Sequence, residues 1–343
     1  AIDDEGTDVS VLADNIPDFD GKDGPWRFDH ALDSSDVQRQ TFKSNSDIYN
    51  ILGRGIVNHA LEGFNACLFC YGQTGTGKTT TILGDKQSGP GLLMLLVQDF
   101  FDHKTKEEQS GGTVKLSVQM LEVYNEKIFD LLVEDDVSSP KSPEKGRKAS
   151  PRNMQRQISP GSKKSVQLHV LSNGVNVEGA ELKTISSVEE CMNLIELGNE
   201  RKHIAATAMN SQSSRGHTVF KLVVQHDQND GVHLTSEVYF ADLAGHENEK
   251  TTKVTGDRMV ELSFINKSLM WLQSAVHSMA HEKKGNGHVN RMALFRNSKL
   301  TLLLSNALLG NSLVHVIVTL SPAAAHFGTS LSSLRFANEV KHI

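Results

Sequence analysis

Gly72-Gln73-Thr74-Gly75-Thr76-Gly77-Lys78-Thr79 forms an unbroken G-x-x-x-x-G-K-[ST] run, and its neighbours give it structural sense. The apolar run ACLFCY at 66–71 has strand length, and Thr80-Thr81-Ile82-Leu83 is suited to open a helix. A strand, a glycine-rich loop and a helix in that order are what a phosphate-binding loop requires. Three glycines let the backbone wrap a polyphosphate with successive N–H groups turned inward, and the helix N-terminus adds partial positive charge. Lys78 has the reach for β- and γ-phosphates, and Thr79 offers a hydroxyl to Mg²⁺. The ligand implied is a nucleoside triphosphate.

Composition narrows the class. With 343 residues the chain is long enough for one large α/β domain or two small ones. Hydrophobic residues make up only 38%, which points to a part of the chain that joins no core. Three cysteines, an odd number in a long chain, argue against a disulfide framework and for a reducing compartment. Cys67 and Cys70 form C-x-x-C, but both fall in the apolar strand with no second pair nearby. They read as buried thiols rather than a redox or zinc site. The strongest apolar run, residues 92–97, falls far short of the ~20 residues that span a bilayer. The N-terminus lacks a signal-peptide pattern, and without an initiator Met the chain reads as part of a longer protein.

Residues 138–165 stand apart. They hold four of the eight prolines and eight Lys or Arg against one Glu, a surplus of seven positive charges that leaves about −13 on the remainder. Such a segment buries too little to offset its ordering entropy, so a disordered insertion is expected at about 134–165. Four Ser-Pro steps, at Ser139, Ser142, Ser150 and Ser159, mark it as a candidate for phosphorylation, and its charge suggests a salt-sensitive tether. Around it strands and helices interleave. Strands are predicted at 115–123, 166–170, 175–177, 218–225 and 234–243, with a buried strand at 314–320 and a short apolar turn at 128–132. Helices are predicted at 187–205, opened by a Ser-x-x-Glu box, and at 259–281, 299–309 and 330–342. This alternation implies one α/β domain over 1–343, with helices on both faces of a sheet.

Two further stretches carry chemistry. Asp242-Leu243-Ala244-Gly245-His246-Glu247 ends an apolar strand; Asp242 is placed to hold Mg²⁺ through water, and Gly245 to offer its N–H to a γ-phosphate. Asn210-Ser211-Gln212-Ser213-Ser214-Arg215-Gly216-His217 supplies paired hydroxyls to complete the Mg²⁺ shell and hold an attacking water. Arg215 is positioned to pair with Glu247 and close the site.

In order and wording, GQTGTGKT, NSQSSRGH and DLAGHE resemble the phosphate loop, switch I and switch II of the kinesin motor domain. The likeness runs from about Trp26 to the C-terminus, broken by the insertion. It includes VQMLEVYNEKIFDLL at 118–132, ELSFINKSLMWL at 261–272, similar to the helix that docks on the microtubule, and FRNSKL at 295–300, similar to the adjoining loop and helix. Two positions depart from the family: Gly216 and His246 stand where it usually has Ser. An Arg-x-Arg-Pro segment that contacts adenine in relatives is absent near the N-terminus, so a first strand before Ala1 is expected.

The resemblance implies a P-loop NTPase-type kinesin fold, a mostly mixed β-sheet flanked by helices on both faces, acting as a microtubule-stimulated ATPase with ATP and Mg²⁺. By resemblance, Gly72, Gln73, Thr74, Gly75, Thr76, Gly77, Lys78, Thr79 and Thr80 bind the nucleotide. Thr79 and Ser214 hold Mg²⁺, with Asp242 touching it through water. Ser213, Ser214, Arg215, Gly245 and Glu247 are catalytic: Ser213 orients the lytic water, and Glu247 takes its proton through a second water. The acidic track requires a basic face, and Lys250, Lys253, Arg258, Lys267, Lys283, Lys284, Arg291, Arg296 and Lys299 cluster on the two segments that face it. Self-association through segments outside this chain and a cytoplasmic, cytoskeletal location follow by the same likeness. The alternative is a kinesin-like binding module with weak turnover, which Gly216 and His246 suggest. A nucleic-acid ATPase is disfavoured, because the basic insertion lacks interleaved aromatics.

Overall fold

The computed structural model describes residues 8–9, 25–133, 164–171, 174–209, 216–246, 257–281 and 291–342. β1 (Asp8–Val9) and β2 (Trp26–Arg27) form a small sheet of their own. α1 (Asn45–Leu61) leads into β3 (Asn65–Gly72), the phosphate loop and α2 (Lys78–Leu83). A tight hairpin of β4 (Gly84–Asp85) and β5 (Gly89–Pro90) precedes α3 (Leu92–Ser110). β6 (Thr113–Tyr124), β7 (Lys127–Asp130), β8 (Lys164–Leu171), β9 (Gly174–Glu178) and β10 (Lys183–Ile185) follow. The second half contributes α4 (Val188–Met209), β11 (His217–Asp227), β12 (His233–Asp242), α5 (Asp257–Ala280), α6 (Arg291–Phe295), α7 (Lys299–Leu308), β13 (Ser312–Thr319) and α8 (Phe327–Val340).

Among the described residues the main sheet runs β13-β3-β12-β11-β6-β7-β8-β9, with β10 on β6. β13 and β12 flank β3 in parallel, and the remaining pairs are antiparallel, so the sheet is mixed as expected. Strand pleating sends alternate residues to opposite faces. Ala66, Leu68 and Cys70 join one core, beneath α1, α3 and α4. Cys67, Phe69 and Tyr71 join the other, beneath α5, α7 and α8. The C-x-x-C cysteines therefore point to opposite faces. All three thiols are free and buried; burial pushes Cys67 and Cys191 up to about 12 and Cys70 higher still.

Three expectations need correction. Residues 128–132 are not a turn: β7 folds back on β6 through Asn125 and Glu126, both at positive φ, and continues the sheet. Glu126 then serves the opposite element, accepting from the Ser298 hydroxyl at 2.8 Å and the Lys299 N–H at 2.7 Å, which caps α7. β13 is half-buried along its whole length rather than buried, because among the described residues it ends the strand order and has β3 as its neighbour on one side. Finally, Lys164 and Ser165 belong to β8 rather than to the insertion. Asp130 faces Lys164 across the β7–β8 pair, so the insertion leaves and rejoins at one place. The Asp130 carboxylate fixes that place by accepting the N–H groups of Leu132 and Glu181 at 2.8 and 2.7 Å. The bulk of the predicted insertion, 134–163, lies outside the described residues. Among the described residues no helix is long and apolar enough to cross a membrane.

Candidate nucleotide-binding site

The phosphate loop emerges where the C-terminal ends of three parallel strands meet. Gly72 pairs in register with Thr319 of β13, so closely that a Cβ at position 72 would lie 2.3 Å from the Thr319 hydroxyl. Only glycine fits there. Thr319 in turn touches the Thr76 hydroxyl at 2.6 Å, and Thr76 donates to the Gln73 carbonyl at 2.7 Å, which holds the loop's curve. Gly77 takes a left-handed φ of +100° as it caps α2. The Lys78 ammonium is buried and donates to the Gly72 and Gln73 carbonyls at 2.9 and 2.8 Å. Thr74 and Gly75 are exposed, and the Thr80 carbonyl accepts from the Asn45 amide at 3.0 Å.

Parallel pairing of β12 with β3 brings Asp242 to the same end of the sheet. The Thr79 hydroxyl donates to Asp242 Oδ2 at 2.7 Å. Asp242 Oδ1 is buried and has no hydrogen-bond partner among the described residues. A buried carboxylate oxygen without a partner is costly unless something else fills its coordination. A hydroxyl and a carboxylate together are hard oxygen donors, so this pair fits a divalent cation such as Mg²⁺.

Residues that sequence reasoning missed connect this site to the helices. His217 is fully buried. Burial, reinforced by Lys202 and Lys78, pushes its imidazole down to about 3, so it is neutral at neutral pH. Its Nδ1 accepts the Ala244 N–H at 3.0 Å, which leaves the Nε2 proton to donate to the Ser268 hydroxyl at 2.8 Å. Ser268 passes its own proton to the Ile265 carbonyl at 2.8 Å. One unbranched chain of hydrogen bonds therefore runs from the residue before Gly245 into α5. His217 was legible only as part of the quoted NSQSSRGH run; nothing in its spacing announced this role.

The two departures from the family pattern are both accommodated. A Cβ at Gly216 would lie 2.7 Å from Glu122 Oε1 and 3.0 Å from its Cγ, so the glycine makes room for a buried glutamate on β6. His246 reaches α8: its Nε2 lies 3.1 Å from the Ser333 hydroxyl, and its ring stacks on Tyr71 at 4.6 Å. Tyr71 accepts a hydrogen bond from Gln273 of α5 at 2.7 Å. Gly245 is buried between Ala244 and His246, the two residues so anchored.

Lys78, Thr79, Asp242 and Gly245 thus lie at one end of the sheet. Ser213, Ser214, Arg215 and Glu247 lie outside the described residues, as do Lys250, Lys253, Lys283 and Lys284. Of the predicted track residues, Lys267, Arg291 and Arg296 are exposed and Lys299 is half-buried at the start of α7. Arg258 falls in the first turn of α5.

A mixed sheet with helices on both faces, a phosphate loop at the end of parallel strands and an aspartate bound to its threonine define a P-loop nucleotide-binding protein. The kinesin motor domain family model matches residues 13–343. Human kinesin-like protein KIF13B is 34% identical over 333 residues, covering 95% of this chain and 17% of that protein. Human kinesin-like protein KIF14 is 34% identical over 326 residues, covering 92% and 18% respectively. Among solved structures, a KIF14 dimer in the two-heads-bound state, with AMP-PNP and in complex with a microtubule, superposes with a TM-score of 0.76 at 33% identity, covering 92% of this chain and 82% of that one. A fast kinesin gives a TM-score of 0.76 at 28% identity, with 93% and 80% covered. The chain belongs to the kinesin motor domain family. It spans less than a fifth of the length of these curated relatives.

Proposed function

We propose that the chain is an ATP-hydrolysing motor domain that works on microtubules and couples loss of γ-phosphate to a change in track affinity. The observation that carries the reading is the Thr79–Asp242 contact with its second carboxylate oxygen buried and open. On triphosphate entry, backbone N–H groups of the loop cradle the phosphates, and Lys78 exchanges the carbonyls of Gly72 and Gln73 for phosphate oxygens. Thr79 and Ser214 would hold a Mg²⁺, with Asp242 beside it, and the ion supplies charge neutralisation at the phosphate oxygens. Ser213 orients the attacking water, Glu247 takes its proton through a second water, and Arg215 closes against Glu247. Gly245 donates its N–H to the γ-phosphate.

Release of that phosphate frees Gly245, and the chain's own bonds carry the change outward. Ala244 pulls on α5 through His217 and Ser268, and His246 pulls on α8 through Ser333. Lys267, Arg296 and Lys299, with Arg258, Lys250, Lys253, Lys283 and Lys284 on the same segments, form the basic face for acidic tubulin. A cytoplasmic place on microtubules or spindle, and self-association through other segments, complete the proposal; nucleic acid is not the proposed partner. Steady-state ATPase with and without microtubules tests it. Microtubules should stimulate turnover, and K78A should lower it at least ~100-fold. Equal turnover with and without microtubules would leave the weak-turnover module as the better reading.

A further inference from the structure

Far from the nucleotide site, two imidazoles and a carboxylate converge on the solvent face. His277 lies in the last turn of α5, and His281 lies one turn further along the same backbone, its N–H donating to the His277 carbonyl at 3.1 Å. Glu339 reaches them from the last turn of α8. Glu339 Oε2 lies 3.0 Å from His277 Nδ1 and 3.4 Å from His281 Nδ1. The two rings sit side by side, with centroids 4.2 Å apart. One ligand atom from each residue falls within 4.8 Å of the others.

We propose that His277, His281 and Glu339 form a surface site for a borderline transition-metal ion, Zn²⁺ foremost, that staples α5 to α8. Zn–N and Zn–O bonds of about 2.0–2.1 Å in a tetrahedron place ligand atoms about 3.3 Å apart, close to both nitrogen–oxygen distances seen here. Two imidazoles and one carboxylate suit Zn²⁺ over Mg²⁺ or Ca²⁺, and three protein ligands leave a fourth position for water. Both histidines are exposed, so an ion has an open path in. One adjustment is required. His281 Nδ1 also lies 3.0 Å from the His277 carbonyl, and that bond is given up when the ring ligates through Nδ1.

The staple has a mechanical consequence, which rests on the motor reading. α5 begins beyond the switch II segment and carries Ser268 and Lys267, whereas α8 holds Ser333 against His246. Joining their far ends fixes the two helices that receive the γ-phosphate signal.

The test is Co²⁺ titration of the Mg·ADP-saturated protein, read by visible absorption, with Zn²⁺ as competitor. Wild type should take up one Co²⁺ with the intense bands of a four- or five-coordinate nitrogen–oxygen site, and Zn²⁺ should erase them. H277A/H281A should abolish the signal, and E339Q should weaken Co²⁺ affinity by on the order of tenfold or more. Zn²⁺ should raise Tm in wild type and leave H277A/H281A unmoved. No Co²⁺ bands in wild type, or bands and a Zn²⁺-dependent Tm shift that survive in H277A/H281A, overturn the site. With the site occupied, Zn²⁺ should slow microtubule-stimulated turnover of wild type severalfold and spare the double variant; unchanged turnover overturns the mechanical consequence. Lack of ATPase in the untreated protein would count against the motor reading, and the Co²⁺ result stands independently of it.

Discussion

His217 shows how a single buried side chain can make stability depend on pH. Its folded-state value near 3 lies below the ~6.5 of an unfolded histidine, so the unfolded chain takes up a proton first as pH falls. Its contribution is therefore complete above pH ~6.5 and is lost progressively toward pH 3. Between pH 7 and 5 the loss should be about 2 kcal/mol, and H217N should show a pH dependence shallower by that amount in chemical denaturation. Gly216, one residue earlier, is a matter of space. G216S restores the family's usual residue but drives a Cβ against buried Glu122, and should destabilise the fold by about 1–2 kcal/mol in the same assay. At this scale the sequence was informative where chemistry fixes spacing: the phosphate loop and the strand-ending aspartate stand out as motifs, and Thr79 of the one meets Asp242 of the other at 2.7 Å. His217, Ser268 and Glu122 were hidden because their partners lie 27 to 94 positions away in the chain or on another strand, and no local pattern encodes such a meeting.

Elements were legible where periodicity was clean. β6, β11, β12 and α5 appear within a few residues of their predicted bounds. α1 and α3 were not assigned from the sequence. α3 opens with six consecutive residues, 92–97, that carry no helical period because most of them are buried between the sheet and its neighbours. α1 contains Gly53 and Gly55, which weaken its intrinsic preference, and packing against the core overrides them. The Ser-x-x-Glu box at α4 is real but rearranged: Ser187 accepts the Glu190 N–H at 3.1 Å, whereas the Glu190 carboxylate turns to the Ser186 N–H at 2.7 Å. The β6–β7 hairpin was misread because its turn is Asn125-Glu126, without glycine or proline. Glu126 repays its strained backbone by capping α7, so E126A should cost about 1 kcal/mol, measured as a drop in the denaturation midpoint.

For the whole molecule, the predicted mixed sheet with two helical faces holds, and it follows from strands whose residues alternate between two cores. The insertion is the part that physical reasoning placed outside those cores. Its anchors, Asp130 and Lys164, face each other on adjacent strands, so replacing 138–163 with a short turn should leave Tm within about 1 °C and basal ATPase intact. The same deletion should weaken microtubule co-sedimentation at low salt and have little effect at high salt. Unchanged co-sedimentation at low salt would refute the tether. The three cysteines have a practical consequence. Each is sealed within the fold and held as the unreactive protonated thiol. Residues 1–343 are thus already suited to site-selective fluorophore attachment: a single cysteine engineered on an exposed helix face would take a maleimide dye without background from Cys67, Cys70 or Cys191.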